Sequence, residues 1–267
     1  MAITTLDGAL AGMTYPRYIS KAVTGTMVAG RPHSLFYLAG SPGAAVAPSS
    51  GMSGGALTTY AGQIPFTNPG AGNSYLARLQ GQATIAGTLL LCDRLWHQSG
   101  ISVTTTTAQT ITSAAWPARD ANGSTNGEDI LIGLEVSTVT GSGAATPTIS
   151  YTNQGGTSSQ TGAMQVAYVA VSIAGTFYPF TLAAGDTGVR SVQSVTLSVS
   201  MTSGAVHLVA YRVLAALEIP GANVGNAIDV LTSGFPRLYD NTVPFLIFIP
   251  STTTTSNVTG QMIVTQG

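Results

Sequence analysis

The sequence predicts an all-β chain: an antiparallel sandwich or jelly-roll-like domain with an extended Pro/Gly-rich N-terminal arm. Three observations lead there. From residue 75 onward, runs of apolar residues at every second position recur, as they do along a half-buried strand. Clusters of Asn, Asp and Gly separate the alternating runs, supplying turn chemistry and positive φ. Before residue 75 the pattern changes, with Pro16, Pro32, Pro42, Pro48, Pro65 and Pro69 spaced among many glycines.

The strands can be read in order. Over residues 79–91 the odd positions are Leu79, Gly81, Ala83, Ile85, Gly87, Leu89 and Leu91, while the even positions begin Gln80, Gln82 and Thr84. This reads as one long half-buried strand. Ile130, Ile132, Leu134 and Val136 form a second alternation, and Val195, Leu197, Val199 and Met201 a third. Residues 207–213 read as a more buried strand. VPFLIFI at 243–249 is a continuous apolar run, and residues 262–264 would form the last strand. The two threonine runs, 104–107 and 252–255, favour strand or an exposed β edge because Thr is branched at Cβ. The best helix is 223–231, ended by Ser233 and Gly234. The expected core comprises Leu79, Ile85, Leu89, Leu91, Ile130, Ile132, Leu134, Val195, Leu197, Val199 and Phe245.

The chain divides in this reading into an arm, 1–74, and a β domain, 75–267. The stretch AGSPGAAVAPSSGMSGGA at 39–56 suits neither a helix nor a central strand. Apolar anchors flank it, which a free linker does not need but a segment lying on a neighbour does. The candidate partner-binding residues are therefore Tyr15, Tyr18, Phe36, Tyr37 and Phe66, with Arg17, Lys21 and Arg31 placed to meet acidic groups.

Composition narrows the function. Only 7% of the 267 residues are charged and the formal net charge is −1, against about 25% charged residues in an ordinary soluble domain. Copies of such a chain repel each other weakly, so a surface occupied by self or by a partner is expected. No basic block is present to grip phosphates, which argues against nucleic acid as a partner. No run reaches the ~18 apolar residues that span a bilayer, and the N-terminus lacks a positively charged leader; synthesis in a cytoplasm and no membrane partner are expected.

Catalytic signatures are weak. Gly51-Met52-Ser53-Gly54-Gly55 matches the bare pattern of a nucleophile elbow but has neither the strand before it nor the helix after it. His33, His97 and His207 share no metal-ligand spacing. Asp93, Arg94, Trp96 and His97 form the densest cluster, best read as ion pairs and core at a strand end. Cys92 is the sole cysteine, sits in an apolar run and reads as a buried inert thiol. Residues 120–129 open like a calcium loop, then depart from it: Thr125 stands where Gly is needed and Leu131 where the bidentate Glu belongs, so a solvated loop is the better reading. No enzyme activity, cofactor or metal is expected.

Several segments together resemble a known class. RPHSLFYLAGSPGAA (31–45), GQIPFTNPGAGNSYLARLQGQATIAGTLLLCDRLW (62–96), TPTISYTNQGGTS (146–158) and LTSGFPRLYDNTVPFLIFIPSTTT (231–254) are similar to virion structural proteins of tailed bacteriophages, in particular capsid cement or decoration proteins. The resemblance implies a homo-oligomer, often a trimer, that binds the major capsid protein on the outer shell of the virion and ties capsomers together. The alternative is a tail or fibre component binding host glycans, with Trp116 and the 120–129 loop as its site.

Overall fold

The computed structural model describes residues 3–234 and 236–267. It is almost wholly β, as the alternation predicts. Its first half holds β1 (Arg17–Val23), β2 (His33–Ser34), β3 (Gly40–Ser41), β4 (Gly55–Ala56), β5 (Ser74–Ala83), β6 (Gly87–His97) and β7 (Gln109–Thr110). Then follow β8 (Leu131–Thr138), β9 (Thr148–Asn153), β10 (Gln160–Met164), β11 (Phe177–Thr181) and β12 (Val189–Thr196). The chain ends with β13 (Ala205–Ile219), β14 (Asn226–Asp229), β15 (Arg237–Leu238), β16 (Pro244–Pro250) and β17 (Ser256–Gln266). Two short helices, α1 (Leu6–Ala11) and α2 (Val230–Ser233), complete the described elements.

The strands form two antiparallel sheets. The smaller has the order β14-β5-β17-β1-β3, with β15 also on β5. The larger runs β2-β16-β6-β13-β8-β11-β10-β9-β12-β7, with β4 on β6, and curls into a half-barrel. Two cores result. Between the sheets, Ile19, Val23, Leu76, Leu79, Val258 and Met262 meet Leu89, Leu91, Leu217, Ile219, Leu246 and Phe248. Inside the curl, Ile132, Leu134 and Val136 of β8 pack with Ile149, Tyr151, Val192 and Val195, over the Trp96–Trp116 pair.

The predicted strand at 79–91 is two strands. It breaks at residues 84–86, and the chain passes from the smaller sheet to the larger. Leu79, Ala83, Leu89 and Leu91 nevertheless all enter the inter-sheet core, because an arch between facing sheets keeps the same side inward. The third alternation also stops early. β12 ends at Thr196, and Val199 is 45% exposed while Leu197 and Met201 stay buried. The threonine runs lie in loops outside the strands. Residues 226–229 form an edge strand, so helix is confined to the single turn of α2 that follows. A helix in the first residues, α1, carries a cap that the composition concealed: Thr5 Oγ1 accepts from the Gly8 N–H at 3.0 Å.

The division at residue 74 is corrected by the pairing. β1 pairs with β17 from Arg17 opposite Met262 to Val23 opposite Ser256, and β2 pairs with β16. The physical reason lies in the apolar run of β16. Leu246 and Phe248 face the smaller sheet, whereas Phe245 and Ile247 face the other way with Leu90 and Cys92 of β6. A strand apolar on both faces needs cover on both. Residues 33–64 provide it: Phe36, Tyr37, Ala45 and Tyr60 lie over that second face. Backbone bonds hold them there, from Leu35 N to Leu246 O at 2.9 Å, Leu57 N to Leu95 O at 2.8 Å and Ile64 N to Pro244 O at 2.8 Å. The Pro/Gly-rich stretch is a lid on its own sheet.

Leu89 and Ile132 occupy the two cores and are 1% and 0% exposed. Truncation of either to Ala is expected to cost about 2–5 kcal/mol, read as a lowered denaturant midpoint. A wild-type midpoint in either variant would contradict these packing assignments.

Candidate functional site

Beneath the lid, charge is buried inside the protein. Asp93 and Arg94 are neighbours on β6 and make separate ion pairs. Arg94 Nη1 and Nη2 donate to Glu135 Oε1 and Oε2 at 3.1 and 2.7 Å, with both side chains at 0% exposure. Arg119 grips Asp93 by Nε to Oδ2 at 2.8 Å and Nη2 to Oδ1 at 3.2 Å. It also donates to Leu57 O. Asp93 Oδ1 further accepts the Val243 N–H at 2.8 Å. Around Arg94, the Phe36 ring lies 4.5 Å beneath the guanidinium, Tyr37 Oη donates to Glu135 Oε2 at 2.9 Å, and Arg94 Nε donates to His97 Nδ1 at 3.2 Å. Burial alone would raise the Glu135 carboxyl; the Arg94 guanidinium and the hydrogen bonds from Arg94, Ser34 and Tyr37 hold it below the usual carboxylate range. Ion pairs pinning this strand end are what the sequence suggested; their function is to anchor the lid.

All three histidines gather near this charge, which their spacing in sequence could not show. Burial lowers His33 to about 4, partly offset by Glu135, and burial with Arg94 and His207 lowers His97 to about 3. Burial lowers His207 as well, although its Nδ1 sits 3.1 Å from Gln98 O. Cys92 is fully buried and burial pushes its thiol up. Among the described residues, no three His, Cys, Asp or Glu side chains are placed to share a metal ion.

The eight residues proposed for partner contact divide sharply. Phe36 is 1% exposed and Tyr37 is committed to Glu135. Lys21 is buried, its ammonium donating to Leu38 O, Pro42 O and Gly43 O at 2.9, 2.6 and 3.2 Å. Burial lowers it to about 8, so at neutral pH it remains charged and spends all three protons inside the chain. Arg31 donates to Ala167 O and lies over the Tyr178 ring. These four are tied into the fold: Phe36 and Lys21 are buried, while Arg31 and Tyr37 are half-buried. Phe66 packs against the inter-sheet core and shares a small crevice with Arg17. Tyr15 and Tyr18 remain available, at 88% and 61% exposure.

The apolar surface the sequence reading missed lies just before them. α1 buries none of its residues, and Leu6, Leu10 and Met13 are about half exposed. The backbone here is nonetheless fixed. Thr14 N donates to Val264 O at 2.8 Å, Gln266 N to Gly12 O at 2.9 Å, and Thr265 Oγ1 to Ala9 O at 2.6 Å. A Cβ at Gly12 would stand 2.2 Å from Gln266 O, so only glycine permits this approach. The available signal was Leu6 and Leu10 at i and i+4 behind a Thr cap.

The remaining motifs resolve as architecture. Asp120 accepts from the backbone N–H groups of Asn122, Ser124, Gly127 and Glu128 and from Ser124 Oγ. Those bonds, outweighing burial, hold its carboxyl below the usual range and use its oxygens to shape the loop. Trp116 is 1% exposed and donates to Val189 O at 2.6 Å, so it offers no ring to a glycan. Gly54 packs on Trp96, where a Cβ would stand 2.2 Å from the indole; the G-x-S-x-G match serves this contact.

Two tests follow from the network. Arg94→Met strands a buried carboxylate and is expected to cost about 3–5 kcal/mol, whereas the Arg94→Met/Glu135→Leu double variant regains much of that loss. Simple additivity of the two single losses would show that the pair does not act as a unit. The unfolded chain protonates its histidines near 6.5, while folded His33 and His97 wait until about 4 and 3. Their stabilisation is thus complete above about 6.5 and declines as pH falls toward 4 and 3. The thermal midpoint is expected to drop between pH 7 and 4, and His97→Gln to shallow that slope; a pH-independent midpoint would contradict the assignment.

Comparison with known proteins leaves these observations to stand largely alone. No family model matches the chain. No curated protein matches it either. Among solved structures, the VP2 subviral particle of infectious bursal disease virus is 11% identical over 96% of this chain and 82% of that one, with a TM-score of 0.19. The structure of the Gx strain of the same virus is 12% identical over 95% of this chain and 42% of that one, with a TM-score of 0.14.

Proposed function

We propose that this chain is a non-enzymatic virion structural protein that binds the outer face of a capsid shell and associates with copies of itself, as the phage cement proteins it resembles in sequence do. One observation carries the reading. Leu6, Leu10, Met13 and Tyr15 expose apolar side chains from a backbone bonded to the end of β17. Apolar side chains exposed on a fixed base are what a protein interface requires. Its ordering entropy is already spent within the fold, so a partner recovers most of the burial energy. The low charge adds to this, since neighbouring copies meet little repulsion. The major capsid protein and a second copy of the chain are the proposed partners; a trimer rests on the resemblance alone.

Deleting residues 1–73 would not test this, because it removes β1 and the Phe36 lid and so uncovers both cores. Leu10→Ser, Met13→Ser and Tyr15→Ser together leave every described hydrogen bond in place. The triple variant is expected to keep the wild-type thermal midpoint, to shift toward monomer in light scattering, and to lose at least about tenfold in affinity for assembled shells. Undiminished shell binding, or a wild-type protein that is monomeric at every concentration, would overturn the reading.

A further inference from the structure

The outer face of the smaller sheet turns a groove of about 700 Å³ to solvent. One ladder row crosses it: Tyr18 of β1 stands opposite Gln261 of β17, Gln261 opposite Gln80 of β5, and Gln80 opposite Ala227 of β14. At ~4.8 Å between strands, the row is roughly 14 Å long. Gln82 stands opposite Thr259 in the neighbouring row. Gln80, Gln82 and Gln261 make no side-chain hydrogen bond among the described residues. Three planar amides, each with two donors and an acceptor, thus converge on one groove without internal partners. Beside them, Tyr18 offers an exposed ring.

The lining selects among ligand classes. Arg78 is the sole charged residue in it. A nucleic acid or sulfated polymer would need several cations in a row. A second copy or a peptide would need an apolar centre, and only Tyr18 and Ala227 offer apolar area here. An uncharged ring bearing many hydroxyls meets the amides as donor and acceptor and lays its C–H face on Tyr18. We infer that this groove binds a neutral oligosaccharide, with Gln80, Gln82 and Gln261 reading hydroxyls and Tyr18 stacking. The inference is independent of the assembly reading, since Leu10, Met13 and Tyr15 lie outside the groove.

The full-length protein is applied to an immobilised panel of neutral hexose and N-acetylhexosamine oligosaccharides, with a heparin hexasaccharide as the charged control. Affinities for retained sugars are then measured by calorimetry. At least one neutral oligosaccharide is expected to bind, and Tyr18→Ala and Gln80→Ala/Gln261→Ala are each expected to weaken it by about tenfold or more. The Leu10→Ser/Met13→Ser/Tyr15→Ser variant should bind as wild type, separating this site from the shell contact. Thermal midpoints check folding, and Gln82→Ala, at an exposed position, substitutes for any groove variant that melts early. No retained neutral sugar, retention of heparin alone, or binding indifferent to all groove variants would overturn the proposal. So would a Tyr18→Ala protein of lower oligomeric mass, which would mean that another copy covers this face.

Discussion

The centre of the larger sheet is apolar on both faces, and most of the architecture answers that constraint. β6, β13 and β16 present Leu89, Leu217 and Phe248 to the smaller sheet and Cys92, Val209 and Phe245 to the opposite side. A second sheet covers one face, as in any sandwich. The other is covered by a segment whose described regular structure is limited to the two-residue strands β2, β3 and β4. The cover is a Pro/Gly-rich segment whose aromatic side chains do the packing and whose backbone bonds to strand ends. Glycine and proline suit that role, because a lid following an irregular surface needs positive φ and fixed bends more than ladder bonds.

Charge placed inside this interface gives it a single register. Aromatic contacts alone would let residues 33–64 slide, since apolar packing is non-directional. Arg94 removes that freedom. Its guanidinium stacks on Phe36 of the lid, forks onto Glu135 of β8 and reaches His97. Arg119 performs the same service for the loop at Leu57 while holding Asp93. Buried pairs add little net stability against well-packed apolar residues, but leaving one partner alone is costly. Misplaced lids are thereby disfavoured. The same burial keeps the histidines neutral, which links integrity of the lid to pH.

With so many polar groups committed internally, what remains on the surface becomes informative. Lys21, Arg31, Phe36 and Tyr37 have the chemistry of interface residues and serve the fold instead. Leu6, Leu10 and Met13 stay about half exposed and Tyr15 almost wholly so, although their backbone is fixed. Gln80, Gln82 and Gln261 in the Tyr18 groove likewise make no side-chain hydrogen bond among the described residues. Both surfaces lie on or beside the smaller sheet, one apolar and one polar.

By itself the sequence determined the all-β class and the inward face of the strands it read by alternation, such as Leu89 and Leu91 or Ile132 and Leu134, because period-two alternation is a local property that survives any arrangement of sheets. It also showed the weak charge and the lack of a convincing catalytic grouping. Its error at residues 79–91 was of connection: alternation continues through an arch between facing sheets as it does through one strand. Leu6 and Leu10 were legible as a capped apolar pair, yet overshadowed by longer anchors downstream. Only the tertiary structure decided which anchors were free. Phe36 and Tyr15 look alike in sequence, and their fates differ because β16 happens to be apolar on its second face and requires Phe36 there. The meeting of Arg94 with Glu135, and of three distant histidines around them, depends on pairings across more than forty residues that no local pattern encodes.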